Sequence, residues 1–100
     1  MRLSEKKRAY LAGIVDARCR FGWLGAMPYA EIRTRSGIPK EIHSIFGGSF
    51  FTDKEGCPWV KLYGPRAVEF LKVVMPYLRQ KRETAERLVA RYSTKVRSSK

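Results

Sequence analysis

The first regular pattern along the chain is helical. Leu11, Ile14 and Val15 lie three and four positions apart, which places their side chains on one face of an α-helix. Ser4 precedes this stretch, and a serine side chain accepts a backbone hydrogen bond at a helix N-terminus. The pattern predicts a first helix that starts after Ser4, ends at about Ala17 and buries one apolar face.

Two pairs of short strands are predicted after this helix. The segments RFGWLG and YAEIRTRS flank a Met-Pro turn at residues 27–28, and in the second segment apolar Ile32 stands between Glu31 and Arg33. The segments SFFTDKEG and PWVKLYG form a second pair with a turn near residues 55–56. Alternation of this kind gives a hairpin one apolar face and one charged face.

Three more helices are predicted. KEIHSIF forms a short helix that the glycine pair at 47–48 ends, and Gly64-Pro65 opens a third helix that stops at Pro76. A last helix carries an apolar stripe of five residues, which are Leu78, Ala85, Leu88, Val89 and Tyr92. The stripe ends before Thr94. We therefore expect one domain over residues 1–93 and a frayed, basic tail over 94–100.

The order of these elements is helix, hairpin, helix, hairpin, helix, helix. It predicts an α+β fold with a four-stranded antiparallel sheet and helices on one face. The order consists of two αββ units, although their residues do not repeat. At 100 residues the chain is long enough for one compact core and too short for a second globular domain.

The charge balance narrows the choice of partner. Lys and Arg number 21 against 9 Asp and Glu, so the formal net charge is +12. This excess favours a nucleic-acid partner over a merely solvated surface. The uncovered face of the predicted sheet carries six charged residues, namely Arg20, Glu31, Arg33, Arg35, Lys54 and Lys61. A basic sheet face of this kind fits the DNA major groove, whereas a solvated sheet face is the alternative.

The two cysteines do not form a metal motif. Cys19 and Cys57 lack CxxC spacing, and His43, the one histidine, lies in a different segment, so no zinc or other metal site is expected. The chain opens MRLSEKKRAY, which does not resemble a signal peptide. We therefore expect reduced thiols rather than a disulfide, no membrane association, and a location in the cytoplasm or nucleoid of a prokaryote or phage-infected cell, or in an organelle. Arg18 and Arg20 beside Cys19 are expected to lower the pKa of its thiol.

Small residues line one side of the first helix. Ala9, Gly13 and Ala17 recur every fourth residue, with Ala12 beside them. Small side chains allow two helix backbones to approach closely. Such a stripe suits a helix–helix dimer contact or a packing contact within the monomer, and the spacing alone leaves both open.

The stretch YLAGIVDAR at residues 10–18 resembles the motif of the LAGLIDADG homing endonucleases and intron maturases. The αββαββα order and the segment VVMPYLRQKRETAERL are similar to the same family. The resemblance implies a homing-endonuclease half-domain that works as a homodimer, with the motif helices side by side and the two sheets forming a saddle on double-stranded DNA. It implies an interface made by Ala9, Ala12, Gly13, Asp16 and Ala17.

The motif departs from the family where the metal is bound. In the family the eighth motif residue is an acid that binds the divalent cation, usually magnesium, for phosphodiester cleavage. Here that residue is Arg18, and the ninth, normally glycine, is Cys19. A guanidinium does not ligate magnesium but binds phosphate well. The resemblance therefore implies retained DNA binding and lost cleavage, as in a repurposed DNA binder or an engineered inactive variant, with no cofactor required.

Two further residues match catalytic positions of the family, and a third matches a motif position beside the metal acid. Lys81 matches a lysine near the scissile phosphate, and Thr34 matches a polar residue that orders water, with Glu31 as the alternative in a shifted register. Asp16 matches the sixth motif residue, which more often serves the helix terminus and dimer packing. The residues expected to bind DNA are Arg18, Arg20, Glu31, Arg33, Arg35, Lys54, Lys61, Lys81 and Arg82.

The sequence thus favours a homodimeric, sequence-specific double-stranded DNA-binding protein that does not cleave efficiently. Two alternatives remain. One is an active, magnesium-dependent homing endonuclease that uses Asp16 or Glu31 for the metal or draws on a partner subunit with an intact motif, so the question of whether the chain is an enzyme stays open. The other is a maturase-type protein that binds intron RNA, which outward-facing aromatic residues such as Phe50 and Trp59 would favour. Aromatic residues at such positions are more often part of the core, and we expect Trp23, Trp59 and Tyr63 to pack between the sheet and a helix.

Overall fold

The structure, a computed structural model, describes the backbone of residues 3–98 and the side chains of residues 3–94. It contains four α-helices: α1 (Glu5–Arg18), α2 (Ile38–Phe46), α3 (Pro65–Val74) and α4 (Arg82–Ser98), with a 3-10 turn at Met75–Tyr77. Four strands complete it: β1 (Cys19–Leu24), β2 (Met27–Arg33), β3 (Ser49–Thr52) and β4 (Pro58–Tyr63).

The strands form one antiparallel sheet in the order β1-β2-β4-β3. Its inner face carries Ala30, Ile32, Val60 and Leu62, which are all buried. The helices cover this face, and Phe70 of α3 lies fully buried among them, edge-on to Phe46 of α2 at 5.2 Å between ring centroids. The expected α+β architecture, with a four-stranded antiparallel sheet and helices on one face, is confirmed.

Local chemistry explains where α1 begins and where α2 ends. The side chain of Ser4 accepts a hydrogen bond from the backbone N–H of Lys7 at 3.1 Å, as an N-cap does. α2 ends at Phe46 with Gly47 as its C-cap, and Gly48 follows with a φ of 83°. A Cβ on Gly48 would lie 2.4 Å from the carbonyl oxygen of Lys61, so the chain passes too close to β4 for any side chain at this position.

The first hairpin turns earlier than the sequence predicts. The turn is at Gly25-Ala26 rather than at residues 27–28, and Gly25 has a φ of 61°. A two-residue hairpin loop needs positive φ, which glycine adopts without strain. Pro28 lies inside β2, and its carbonyl oxygen, which points away from β1, accepts the N–H of Gly64 at 2.8 Å. The nitrogen of Pro28, which has no hydrogen to donate, also points away from β1. The hydrogen bonds between β1 and β2 therefore lose no donor at this position.

The last helix also differs from the prediction. Leu78 is buried but lies before α4, because the backbone there is extended, with φ −71° and ψ 146°. The predicted tail begins near Thr94, whereas α4 continues to Ser98. The part of that tail at 99–100 lies outside the described residues. No helix within residues 3–98 is both long and apolar enough to span a membrane.

Candidate nucleic-acid interface

The outer face of the sheet is not covered by any helix of the described chain. We call it the open face and define it by alternation and register: Arg20, Gly22, Leu24, Met27, Tyr29, Glu31, Arg33, Ser49, Phe51, Trp59, Lys61 and Tyr63. Arg20 pairs with Glu31, and Glu31 pairs with Lys61, so a charged row crosses the sheet. Paired residues in adjacent strands point to the same side, which brings these three side chains together.

A concavity of about 370 Å³ lies on this face near the C-terminal end of α1. We call it the basic cleft, and its lining residues are Arg18, Arg20, Glu31, Arg33, Asp53 and Trp59. Within the described residues, the side chains of Arg18 and Arg20 make no hydrogen bond or ion pair. Both are exposed, so their guanidinium groups can accept an anionic partner.

The acids of the basic cleft are already engaged. Glu31 faces the ammonium of Lys61 at 3.7 Å. Asp53 accepts the backbone N–H groups of Cys57 and Glu55 at 2.9 and 3.0 Å and the indole N–H of Trp59 at 3.1 Å. Arg33 also donates to Asp53, from Nε at 2.8 Å. These donors, the Cys57 amide first, hold the pKa of Asp53 well below its usual range.

Arg33 is held in place by this network. Its Nη2 lies 2.7 Å from Asp53 and 3.4 Å from Glu55, and the hydrogen bond to Asp53 raises the pKa of Arg33. A guanidinium has five N–H groups, so donors remain free for a ligand. Because neighbouring acids restrict its rotation, Arg33 is pre-oriented at the wall of the basic cleft.

Trp59 and Tyr63 do not lie where the sequence predicts. We expected them to wedge the sheet against a helix, but register pairs Trp59 with Arg33 and Tyr63 with Tyr29 on the open face. The burial of Val60 and Leu62 decides this, because alternation sends residues 59, 61 and 63 to the other side. Phe50, named with Trp59 as a candidate for an outward position, pairs with buried Val60 and stacks on His43.

Asp16 and Lys81 serve the junction between α1 and α4. The carboxylate of Asp16 accepts the backbone N–H of Arg79 at 2.8 Å and that of Lys81 at 3.0 Å. The ammonium of Lys81 donates to the carbonyl oxygens of Val15, at 3.2 Å, and Cys19. Lys81 therefore adds a charged donor at the C-terminal end of α1, where the Val15 carbonyl also accepts the N–H of Cys19. These contacts give both residues a structural role, and neither of them lines the basic cleft.

The other residues expected to act on DNA are spread around the cleft. Thr34 is half-buried just after β2, where its N–H donates to the carbonyl of Pro58. Arg35 donates to the carbonyl oxygen of Glu55 at 2.8 Å, and Lys54 is exposed in the same turn. Arg82 pairs with Glu86 at 3.4 Å on α4. The structure thus brings Arg18, Arg20, Glu31 and Arg33 together, with Lys61 beside them. Thr34 and Arg82 do not line this cleft, and Lys81 lines a neighbouring concavity that it shares with Arg20.

The small residues of α1 divide between two faces. Ala9, Gly13 and Ala17 are exposed, and no atom lies within 4 Å of a Cβ built on Gly13. Ala12 was expected to join them, but it is fully buried in the monomer core. A side chain inside the core cannot contact a second chain, so the assignment of Ala12 to a dimer interface is wrong. The exposed residues form the small-residue face of α1.

Cys19 also differs from the expectation. Its side chain is only 2% exposed, and burial raises the pKa of its thiol to about 12 against the opposing effect of Lys81. The side chain of Cys19 turns inward, away from Arg18 and Arg20, because it occupies the inner face of β1. Cys19 and Cys57 are both buried and free of a disulfide.

The donor set near the end of α1 does not fit a magnesium ion. Magnesium prefers carboxylate and water oxygens, whereas the residue that ends α1 here is Arg18. Both carboxylate oxygens of Asp16 accept backbone N–H groups, and Glu31 faces Lys61. Among the described residues, no three His, Cys, Asp or Glu side chains form a group that could hold a metal ion.

The antiparallel sheet with its helix layer and its open, basic face matches known structures. Two solved structures of the homing endonuclease I-CvuI match this chain with TM-scores of 0.76 and 0.70, each at 21% sequence identity. The chain has the homing-endonuclease fold. The matches cover 88% and 89% of this chain, which spans about two thirds of the I-CvuI chain, 66% and 67%. The half-domain fold implied by the motif resemblance is confirmed.

The two I-CvuI structures contain DNA. In one the enzyme is bound to its target Sro1.3 in the presence of 2 mM Ca. In the other it is bound to the I-CreI target C1221 in the presence of 2 mM Mg, with the DNA not cleaved. No protein-family model matches the present chain, and no curated protein sequence does.

Proposed function

We propose that this protein is a LAGLIDADG-type, sequence-specific double-stranded DNA-binding protein that acts as a homodimer and does not cleave efficiently. The basic cleft carries the proposal. Two arginines without partners among the described residues, Arg18 and Arg20, line this cleft on a homing-endonuclease fold. Arg33 adds a third guanidinium, held by Asp53.

The charge and the shape of the open face suit a DNA duplex. Antiparallel strands with long basic side chains fit the major groove, where arginine can contact O6 and N7 of guanine through two hydrogen bonds. Arg20 and Arg33 project from β1 and β2 and are assigned to bases. Arg18, at the end of α1, is assigned to phosphates. A net charge of +12 for each chain supports strong attraction to the DNA backbone at low salt.

The small-residue face of α1 supports a homodimer. Ala9, Gly13 and Ala17 leave room for a second helix to approach, and this face is exposed in the isolated chain. Two copies packed through α1 would place their Arg18 residues near each other, because Arg18 ends the helix. Two guanidinium groups at this point favour phosphate and disfavour a divalent cation.

Selection from random duplex DNA, without divalent metal, tests the proposal. We expect enrichment of a roughly two-fold symmetric site, and an asymmetric consensus or no enrichment would contradict the homodimer. On the selected site, Arg18→Gln should weaken binding and lower the salt slope of the association constant by about 0.9 for each DNA phosphate that is no longer neutralised. Arg87→Gln on the exposed surface of α4 removes the same charge and should have a smaller effect.

The same site, carried on a plasmid, distinguishes binding from cleavage. We expect no nicking or linearisation with magnesium or manganese, because the acids near the end of α1 are engaged by other groups. Cleavage that disappears in Asp16→Asn while the fold is retained would establish the active endonuclease instead.

A further inference from the structure

A row of three side chains crosses the open face next to the basic cleft and ends at the edge of the sheet. Arg33 on β2 pairs with Trp59 on β4, and Trp59 pairs with Phe51 on β3. Since the strand order is β1-β2-β4-β3, β3 is an edge strand. Phe51 is therefore the last member of the row, with no strand beyond it.

The two rings are stacked. Their centroids are 5.7 Å apart with an interplanar angle of 12°, and the guanidinium carbon of Arg33 lies 5.7 Å from the Trp59 ring. The ammonium of Lys61 is nearly equidistant from Phe51 and Trp59, at 5.5 and 5.4 Å. Equal distances place it beside the pair, because a position beyond Phe51 would be much farther from Trp59. Among the described residues, the ring and cation contacts of Phe51 are therefore on its inner side and flank, and the residue is 39% exposed, which leaves its outer ring face available.

The inner ring of the stacked pair, Trp59, is fixed by a hydrogen bond. The indole N–H of Trp59 donates to Asp53 at 3.1 Å, and the same carboxylate accepts the amides of Glu55 and Cys57 in the β3–β4 turn. Asp53 thereby ties the ring of Trp59 to the backbone of the hairpin. A ring fixed in advance loses little conformational entropy when a ligand stacks on the pair.

From this geometry we infer a binding site for an unpaired nucleobase of a single-stranded nucleic acid. The base stacks on the outer face of Phe51 and extends the row Arg33, Trp59, Phe51, while Lys61 contacts an adjacent phosphate. Aromatic rings beside cations are what sequence-tolerant single-strand sites consist of, since every base has a flat face. The site goes beyond duplex binding, because a paired base inside a duplex cannot offer its face to a side chain.

Fluorescence anisotropy with labelled strands tests the site. An oligothymidylate is compared with an abasic strand of equal length and charge, and with a duplex. The protein should bind oligothymidylate more tightly than the abasic strand. Phe51→Leu should reduce the affinity for oligothymidylate by about 5-fold or more, the usual effect of losing one stacked base, and leave the abasic strand unaffected. Phe51→Tyr keeps an aromatic ring and should retain binding.

Phe50→Leu is the matched control. Phe50 is adjacent on the same edge strand and similarly exposed, at 36%, but it stacks on His43 on the other side of the sheet. Its substitution should leave oligothymidylate binding unchanged. Equal losses in Phe50→Leu and Phe51→Leu, or equal affinities of wild type for the thymidylate and abasic strands, would overturn the inference.

Trp59 supplies a second readout. In a Trp23→Phe background it is the one remaining tryptophan, and its emission should be quenched by oligothymidylate and not by the abasic strand. Oligouridylate, measured in parallel, identifies whether RNA or DNA is the preferred source of the base. Failure of the duplex selection together with intact base-dependent binding would refute the proposed function and leave this site standing.

Discussion

Replacing Asp16 by asparagine tests whether this residue anchors the fold or serves catalysis. Its two carboxylate oxygens accept the N–H groups of Arg79 and Lys81, 63 and 65 residues away in sequence, at 2.8 and 3.0 Å. Asparagine offers one carbonyl oxygen, and its NH₂ group would face a backbone donor. At least one hydrogen bond to a charged acceptor is removed, and a second N–H is left poorly satisfied.

The expected loss of stability follows from these hydrogen bonds. Hydrogen bonds to charged groups contribute about 1.5–3 kcal/mol each when buried, and Asp16 is only half-buried. We therefore expect the free energy of unfolding to fall by about 1–3 kcal/mol. For a domain of this size each kcal/mol lowers the melting temperature by about 4–8 °C.

Urea unfolding followed by circular dichroism measures the change. The midpoint should move to lower urea concentration with an unchanged m-value, since the same surface is exposed on unfolding. Glu69→Gln on α3 is the control, because Glu69 is exposed and makes no hydrogen bond or ion pair within the described residues. Stability of Asp16→Asn equal to that of Glu69→Gln, or higher than wild type, would refute the anchoring role.

Two further predictions concern titration and thiol reactivity. Asp53 has a pKa below its ordinary value of 3.8, so its stabilising effect is present above about pH 4 and is lost as pH falls further. The difference in urea midpoint between wild type and Asp53→Asn should shrink below that pH, and a constant difference would contradict the assignment. Burial raises the pKa of the Cys19 thiol to about 12, so it stays protonated at pH 8, and its side chain is only 2% exposed. Iodoacetamide should therefore modify Cys19 in the unfolded protein and not in the native protein, which peptide mass mapping can check. Rapid labelling of Cys19 in the native protein would contradict its burial.

Arg18 combines a local and a tertiary effect. As the last residue of α1 it complements the negative end of the helix, as basic residues in a last turn do. The fold then places it beside Arg20 and Arg33 in the basic cleft. The residue that ends α1 on this fold is thus a guanidinium group, which attracts phosphate. Aspartate at this position would lower the local positive charge, so Arg18→Asp should weaken duplex binding more than Arg18→Gln.

Much of this protein is determined by the sequence alone, because its strongest signals are local. Helical spacing of Leu11 and Val15, alternation around Ile32 and the glycine pair at residues 47–48 are signals between residues a few positions apart. These signals predict the α+β order, the antiparallel sheet and the charged outer face. The motif at residues 10–18 is equally local, and so is the arginine at its eighth position.

The tertiary structure decided what these side chains contact. Asp16 meets the start of α4, Lys81 meets the end of α1, and Arg33 meets Asp53 on the second hairpin. Each partner is twenty or more residues away, so no short-range pattern indicates it. Only the register of the sheet assigns Trp59 to the open face. A free carboxylate and one satisfied by distant N–H groups look the same in a sequence, and only packing distinguishes a residue that can bind a ligand from one that holds the fold.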